Sequence, residues 1–212
     1  MKYFICILIL NVSNIAQVTK LGASVNHLSH FIASGKFEEL KNKLSDYQQI
    51  DILYKEALKE SKGDIDNALF TLTFTVIPYD QIPVVTPVFK IPITVPLPHS
   101  VDSIFNLKNK NLPNNLFFDT PKNSFGDKDK LAHFFGSAYL SYGSSWFDIT
   151  QIIGIFVEDF EEKFYIQSSA DPRDIRADNL GNMFGKVLKK NKEVLPSQVL
   201  AVYHLTFFRY NL

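Results

Sequence analysis

Cysteine is almost absent from this chain of 212 residues, which has Cys6 and no other. Cys6 lies within the first apolar run, and we expect it to be removed together with that run. The remaining chain would then contain no thiol, no disulfide and no cysteine ligand for a metal ion. This absence excludes a disulfide-stabilised fold, and it is compatible with either a reducing or an oxidising compartment.

Net charge is absent as well, because 22 basic residues balance 22 acidic residues and the pI is near 7.0. The chain therefore lacks the electrostatic footprint of a DNA or RNA binder, and nucleic acid is not an expected partner. It also lacks a phosphate-binding glycine loop, a His-Glu-x-x-His motif and a dinucleotide fingerprint. What is present is a hydrophobic fraction of 46%, which is typical of a globular protein and excludes a mainly disordered chain.

The first 24 residues follow the order of a secretory signal peptide. Lys2 gives a positive start, residues 3–10 are apolar without interruption, and small residues follow at Ala16 and at residues 22–24. The apolar run is too short for a membrane span, which needs about 20 residues. Cys6 stands too early to be the lipidated cysteine of a lipoprotein. We predict a periplasmic or otherwise exported protein without a lipid anchor; the alternative is a buried first helix or strand of a cytoplasmic protein.

Residues 25–60 have the pattern of amphipathic helices. Apolar residues recur every three or four positions in the segments 25–34, 36–44 and 47–59. The pattern breaks at residues 61–64, which include Gly63. We predict helices here, with one face in a core and the other in solvent.

Residues 71–76 and 89–97 change to a period of two, in which apolar residues alternate with other residues as in half-buried strands. In the second run Pro92, Pro96 and Pro98 would all lack a hydrogen-bond donor on the same edge of a strand. Prolines of this kind are found on edge strands. The pattern predicts one β-hairpin with a proline-marked edge, and a polyproline ligand is the alternative interpretation.

The stretch 101–126 is rich in asparagine and lysine and predicts a surface loop or linker. A helical domain is predicted to follow it. The first helix of this domain starts near Asp127, which can cap it, and ends at about residue 142. The second helix covers about residues 147–165.

The third helix of the domain has the clearest start, with Asp171 as its cap and Pro172 in the first helical position. One narrow stripe of this helix carries two carboxylates followed by two glycines: Asp174, Asp178, Gly181 and Gly185. Glycines remove side chains, so another helix can approach closely. Gly136 and Ser137 supply a small surface on the first helix. We infer that the two helices cross there and bring His133 toward Asp178.

Three spaced motifs carry a resemblance to a known family. Residues 127–134 (DKDKLAHF) are similar to a D-K-x-x-H-F opening, residues 154–158 to a G-x-x-x-E segment, and residues 174–185 to a D-x3-N-x2-G-x3-G ending. In this order, over residues 127–188, they resemble the VanZ-like proteins and the related YfiM-type family of predicted periplasmic lipoproteins. The resemblance implies an envelope location and a shared helical core, without a known reaction. It gives motif positions to Asp129, Lys130, His133, Gly154, Glu158, Asp174, Asp178, Gly181 and Gly185.

This chain departs from that family in two respects. Asp178 stands where the family usually has asparagine. The VanZ-like members span the membrane several times, whereas the helices predicted here are interrupted by charged residues.

The polar residues of the three helices form the candidate site. His133, Glu158, Asp174 and Asp178 could converge and bind a divalent cation through an imidazole and carboxylate oxygens. His133, oriented by a carboxylate, could instead act as a general base, and Glu158 is the second catalytic candidate. The third interpretation is a structural polar network, since buried ionic groups also occur without chemistry. Ser137 is not expected to be a nucleophile, because no sharp strand-to-helix turn or oxyanion hole is indicated.

Together these patterns predict an α+β protein that is mainly helical, with N-terminal helices, one proline-edged β-hairpin and a C-terminal domain of three or four helices. The predicted parts are a signal peptide (1–24), a helical segment with the hairpin (25–100), a linker (101–126) and the helical domain (127–212). The predicted function is that of an exported cell-envelope protein with a polar core, non-enzymatic and without a cofactor. The alternatives are a metal-dependent hydrolase that uses a divalent metal at the same cluster, and a protein that contacts a membrane surface through the apolar residues 194–212.

Overall fold

The computed structural model describes residues 20–85, 92–143 and 171–210 of the chain. Within these ranges there are eight helices and two short strands. Their bounds are 20–33 (α1), Gly35–Lys41 (α2), Asp46–Glu60 (α3), Ile65–Val76 (α4), Gln81–Val85 (β1), Pro92–Pro96 (β2), Asp102–Asn111 (α5), Lys128–Tyr142 (α6), Pro172–Leu188 (α7) and Pro196–Tyr210 (α8). The described residues are mainly helical, as predicted, but two short strands do not support the α+β class that we expected.

Two predicted features fall on residues that the structure does not describe. Most of the predicted signal peptide lies in residues 1–19. The predicted second helix of the C-terminal domain, with Gly154 and Glu158, lies in residues 144–170.

Side-chain caps start the N-terminal helices α3 and α4. Ser45 caps α3 and forms a capping box with Gln48, and Asp64 caps α4 by accepting a hydrogen bond from the backbone N–H of Asn67. Such caps satisfy backbone donors that have no partner within the helix. The predicted break at residues 61–64 is confirmed, because Lys62 and Gly63 have positive φ angles of 55° and 86° that end α3.

The first strand of the predicted hairpin is wrong, because residues 71–76 form the second half of α4. The alternating threonines that mimic a strand are all buried here: Thr71, Thr73 and Thr75. Two of their hydroxyls donate to the carbonyl four residues earlier, at 2.8 Å, which satisfies them inside a helix. Helix α4 is buried nearly all round, so its sequence shows no polar face with a helical period.

The strands that do form are β1 and β2, which pair antiparallel with Gln81 opposite Pro96 and Val85 opposite Pro92. Just beyond β2, the N–H of Leu97 donates to the carbonyl of Asp80 at 2.8 Å, on the edge that faces β1. Since N–H groups alternate between the two edges of a strand, Pro92 and Pro96 have their missing donors on the outer edge.

The stretch predicted as a linker contains helix α5. Lys108 and Asn111 are buried on this helix, and the chain after it buries Leu112, Leu116 and Phe117 in the core. Lysine and asparagine usually lie at the surface, which is why their abundance predicted a loop. Here the buried polar groups find backbone partners, since Asn111 donates to the carbonyl of Ile32 at 2.9 Å.

Five helices surround the main core in a closed order. α6 packs between α4 and α7, α8 packs between α7 and α3, and α3 packs against α4. At the centre the ring of Phe184 packs against Tyr54 and Phe134, with ring centroids 5.4 and 5.5 Å apart. One apolar cluster therefore includes residues from both the 25–100 and the 127–212 segments. None of the helices in the described ranges has the length and apolar character needed to span a membrane.

Candidate functional site

The candidate site lies where α6 and α7 pack side by side. The two helices run in the same direction, since Lys130 lies beside Asp174 near their N-terminal ends and Ala138 lies beside Gly185 about two to three turns later. A methyl group on Gly181 would lie 2.1 Å from the carbonyl oxygen of Phe134, and one on Gly185 would lie 2.3 Å from that of Ala138. These approaches confirm the predicted close crossing at the glycine stripe.

The surface of α6 that meets this stripe differs in part from the prediction. Gly136 faces α4 instead, where an added methyl group would contact the side chain of Thr73 at an ordinary 3.5 Å. Ser137 does face α7, and its hydroxyl donates to Asp178 Oδ1 at 2.8 Å. The crossing is therefore formed by glycine against helix backbone, with Ser137 beside it.

His133 lies between the two carboxylates of the stripe. Its Nδ1 is 3.2 Å from Asp178 Oδ1, and its Nε2 is 3.3 Å from Asp174 Oδ1. The imidazole side chain is 18% exposed, so the contacts are largely sheltered from solvent. The predicted approach of His133 to Asp178 is confirmed, and the ring is held from both sides by groups on α7.

Lys130 is almost completely enclosed, with a side chain that is 4% exposed. Its Nζ lies 2.6 Å from Asp129 Oδ2, 2.7 Å from Asp174 Oδ1 and 3.2 Å from Asp171 Oδ2. Burial alone would lower the pKa of Lys130, but the hydrogen bonds to Asp129 and Asp174 outweigh it and hold the pKa above its usual value. The ammonium is thus a fixed positive charge among three carboxylates.

Arg173 extends the network from α7 to the segment before α6. Its Nη2 lies 2.6 Å from Asp171 Oδ2, and its Nη1 lies 2.7 Å from Asp127 Oδ1. Burial would raise the pKa of Asp171, but the hydrogen bonds from Arg173 and Lys130 hold it well below its usual range. Asp171 also accepts from the N–H of Arg173, which confirms that it caps α7.

We expected Asp127 to cap α6, but its side chain makes no capping hydrogen bond, although the residue stands at the N-cap position. Its side chain is fully buried and turns away from the helix. Besides Arg173, its carboxylate accepts hydrogen bonds from the N–H groups of Leu116 and Phe117 at 3.2 Å and from the hydroxyl of Thr120. Asp127 therefore anchors the α5–α6 connection to the start of α7.

Parallel packing places the N-terminal ends of α6 and α7 next to each other. Each helix N-terminus carries a partial positive charge, so two adjacent ones repel. The first turns supply acidic residues that offset this repulsion, namely Asp129 on α6 and Asp174 on α7. Lys130 and Arg173 then join the carboxylates into one network.

The structure thus brings together most of the predicted site residues and adds others. Asp129, Lys130, His133, Asp174 and Asp178 lie in one network, whereas Glu158 and Gly154 lie outside the described residues. Sequence reasoning missed the roles of Arg173 and Asp127 as ion-pair partners. The helical period shows which residues share a face of one helix, and it contains no information on a contact between a helix and a loop.

The geometry does not favour a metal ion between His133 and the two carboxylates. The oxygen of Asp174 nearest to His133 also lies 2.7 Å from the ammonium of Lys130, and a cation at this oxygen would have to displace that ammonium. Across residues 20–85, 92–143 and 171–210, no three histidine, cysteine or acidic side chains are placed to hold a metal ion together.

Comparison of the chain with protein-family models, with curated proteins and with solved structures found no match. The resemblance to the VanZ-like and YfiM-type families therefore depends on the three sequence motifs alone.

Proposed function

We propose that the protein is an exported cell-envelope protein with a non-enzymatic, structural role, and that its polar network holds α6 and α7 side by side. The export proposal is supported by the order of charged, apolar and small residues in 1–24 and by the motif resemblance. The structural role is supported by one observation above all: the charged groups of the network use one another as partners.

The engagement of His133 argues against catalysis. A general base needs an imidazole nitrogen within hydrogen-bond reach of a substrate proton. Both ring nitrogens of His133 instead face carboxylate oxygens of α7, at 3.2 and 3.3 Å. Asp178 is engaged a second time by the hydroxyl of Ser137. The arrangement suits a side chain that joins two helices.

His133→Ala tests the structural role. The change removes two charge-assisted contacts and leaves Asp174 and Asp178 with fewer partners, so we expect a loss of about 1.5 kcal/mol in the free energy of unfolding. For a chain of this size that corresponds to a fall of roughly 5 °C in melting temperature. The matched control is His27→Ala, since His27 is 48% exposed and contacts Glu56 at the surface, and little change is expected there.

Metal analysis of the purified protein separates this proposal from the metal-dependent hydrolase. We expect no stoichiometric divalent metal and the same melting temperature with and without a chelator. A His133→Ala variant of unchanged stability, or a wild-type protein destabilised by the chelator, would favour a metal or catalytic site instead.

A second candidate role, contact with a membrane surface, is favoured by the apolar end of α8. Leu205 on this helix is 70% exposed, and the 53% exposed Phe118 stacks on Tyr203, two residues before Leu205, with ring centroids 5.7 Å apart. Exposed apolar side chains occur at protein and membrane contact sites. Tyr203 and Leu205 belong to the apolar segment 194–212.

Sedimentation with liposomes tests this second role. We expect the wild-type chain to sediment with vesicles, and Leu205→Asp to lower the binding constant about tenfold, since burial of one leucine contributes about 1.5 kcal/mol or more. Leu140→Asp is the control, because Leu140 is 39% exposed on α6 and is not part of this end. Failure of the wild-type chain to sediment with any vesicle would rule the role out.

A further inference from the structure

Lys108 has its amine in an environment that is unusual for lysine. The residue is 1% exposed on α5, and its Nζ donates to the carbonyl oxygens of Thr75 at 2.9 Å and Ile77 at 2.8 Å. These carbonyls belong to the C-terminal end of α4 and its cap. The amine also lies 4.6 Å from the centre of the Phe105 ring. It therefore joins the end of α4 to α5.

No acidic side chain in the described ranges pairs with this amine. The charged neighbour that faces it is Lys128, at the start of α6, which is itself 7% exposed. His99, from the segment before α5, packs against Phe105 with ring centroids 5.6 Å apart. Burial, with a smaller effect of Lys128, lowers the pKa of Lys108 to about 7. A buried charge without an opposite charge is costly, so proton release is the physical response.

We propose that Lys108 forms a proton-sensitive contact between the C-terminal end of α4 and α5. This contact stabilises the fold more when the amine is neutral than when it is protonated. A neutral amine has two N–H groups, and the carbonyls of Thr75 and Ile77 accept both. The protonated amine has a third N–H and a full charge. The dipole of α4 and the ring of Phe105 offset part of the cost of that charge, so the fold tolerates both states.

The protonation of Lys108 makes the free energy of unfolding depend on pH in a defined way. The ordinary pKa of lysine, 10.5, applies to the unfolded chain, and the folded pKa is about 7. Between these values the unfolded chain binds the proton and the folded chain does not, so stability rises with pH. The unfolding constant falls about tenfold for each pH unit in this interval. Below pH 7 both states hold the proton, and the contribution stays at its least favourable value.

Urea unfolding at a series of pH values, for the wild-type chain and for Lys108→Met, tests the proposal. Methionine keeps the apolar stem and removes the titrating group, so effects of other residues cancel in the comparison. We expect the unfolding constant of the wild-type chain to fall about tenfold per pH unit above pH 7, relative to that of the variant. Lys36→Met, at an exposed position, is the control and should keep the wild-type profile. Parallel profiles for the wild-type chain and Lys108→Met would overturn the proposal.

Two further measurements use the wild-type chain, in case the variant does not fold. In NMR of ε-13C-labelled lysines, we expect one signal to titrate near pH 7, and titration of every signal near pH 10 would overturn the proposal. In hydrogen exchange corrected for intrinsic rates, we expect amides of α5 to be less protected at pH 6 than at pH 8, with no larger change in those of α3. Equal protection of α5 at both pH values would show that the contact between this amine and α4 does not depend on pH.

Discussion

Gly181→Ala and Gly185→Ala are each expected to lower the free energy of unfolding by about 3 kcal/mol, which is a fall of roughly 10 °C in melting temperature. The added methyl group would lie 2.1 Å from a backbone oxygen of α6 at the first position and 2.3 Å at the second. Backbone atoms of a packed helix cannot move aside as a flexible side chain can, so α6 and α7 must separate. That separation also lengthens the contacts of His133 and Lys130 with α7.

Gly136→Ala is the control for both substitutions, because it lies in the middle of α6 and has room for a methyl group. The nearest atom to that methyl group would be in the side chain of Thr73, at 3.5 Å. Alanine is favoured over glycine in a helix by about 1 kcal/mol, so this variant should be as stable as the wild-type chain or more stable. The change in the free energy of unfolding should therefore be negative at Gly181 and Gly185, and zero or positive at Gly136. A stabilising effect at Gly181 or Gly185 would contradict the close crossing.

The crossing could be predicted from sequence because it depends on one helical period. Asp174, Asp178, Gly181 and Gly185 lie on one stripe, and any straight helix would present them to the same neighbour. The start of α7 is equally local, since a capping aspartate and a first-turn proline act within a few residues of each other. Predictions of this kind need no information on the rest of the fold.

Other parts of the fold depend on the surroundings and could not be predicted in this way. The buried threonines of α4 alternate as in a strand, and only the packing of helices on all sides makes the helical state favourable. Lysine is usually a surface residue, and the burial of Lys108 depends on backbone carbonyls that α4 supplies. Arg173 and its partner Asp127 lie 46 residues apart in sequence, a separation that no local pattern contains.

The network also explains how a pair of parallel helices can be stable with their positive ends together. Carboxylates in the first turns offset the two dipoles, and the cations between them prevent the carboxylates from repelling one another. This balance requires that each partner stays in place. Removal of a partially exposed member, such as His133, should cost less than removal of a fully buried one, because water can compensate at the exposed position.

Asp127→Ala should therefore have the largest effect of a single substitution in the network. The carboxylate is fully buried, and its removal takes an acceptor from Nη1 of Arg173 and from the N–H groups of Leu116 and Phe117. Within the described residues, Arg173 then keeps only its pair with Asp171. Loss of one partner from a buried ion pair costs about 4 kcal/mol, which predicts a melting temperature lower by roughly 12 °C. Asp127→Asn, which keeps an acceptor oxygen and loses the charge, should fall between this variant and the wild-type chain.

The matched control for Asp127 is Asp119→Ala. Asp119 also pairs with an arginine of α7, since its Oδ1 lies 2.6 Å from Nη1 of Arg176, but its side chain is 37% exposed. A surface pair of this kind contributes less than about 1 kcal/mol, so the control should unfold within a few degrees of the wild-type chain. Calorimetry of the three variants measures the difference directly. Equal effects at Asp119 and Asp127 would mean that burial does not determine the strength of the network, and that the start of α7 is held in place by apolar packing.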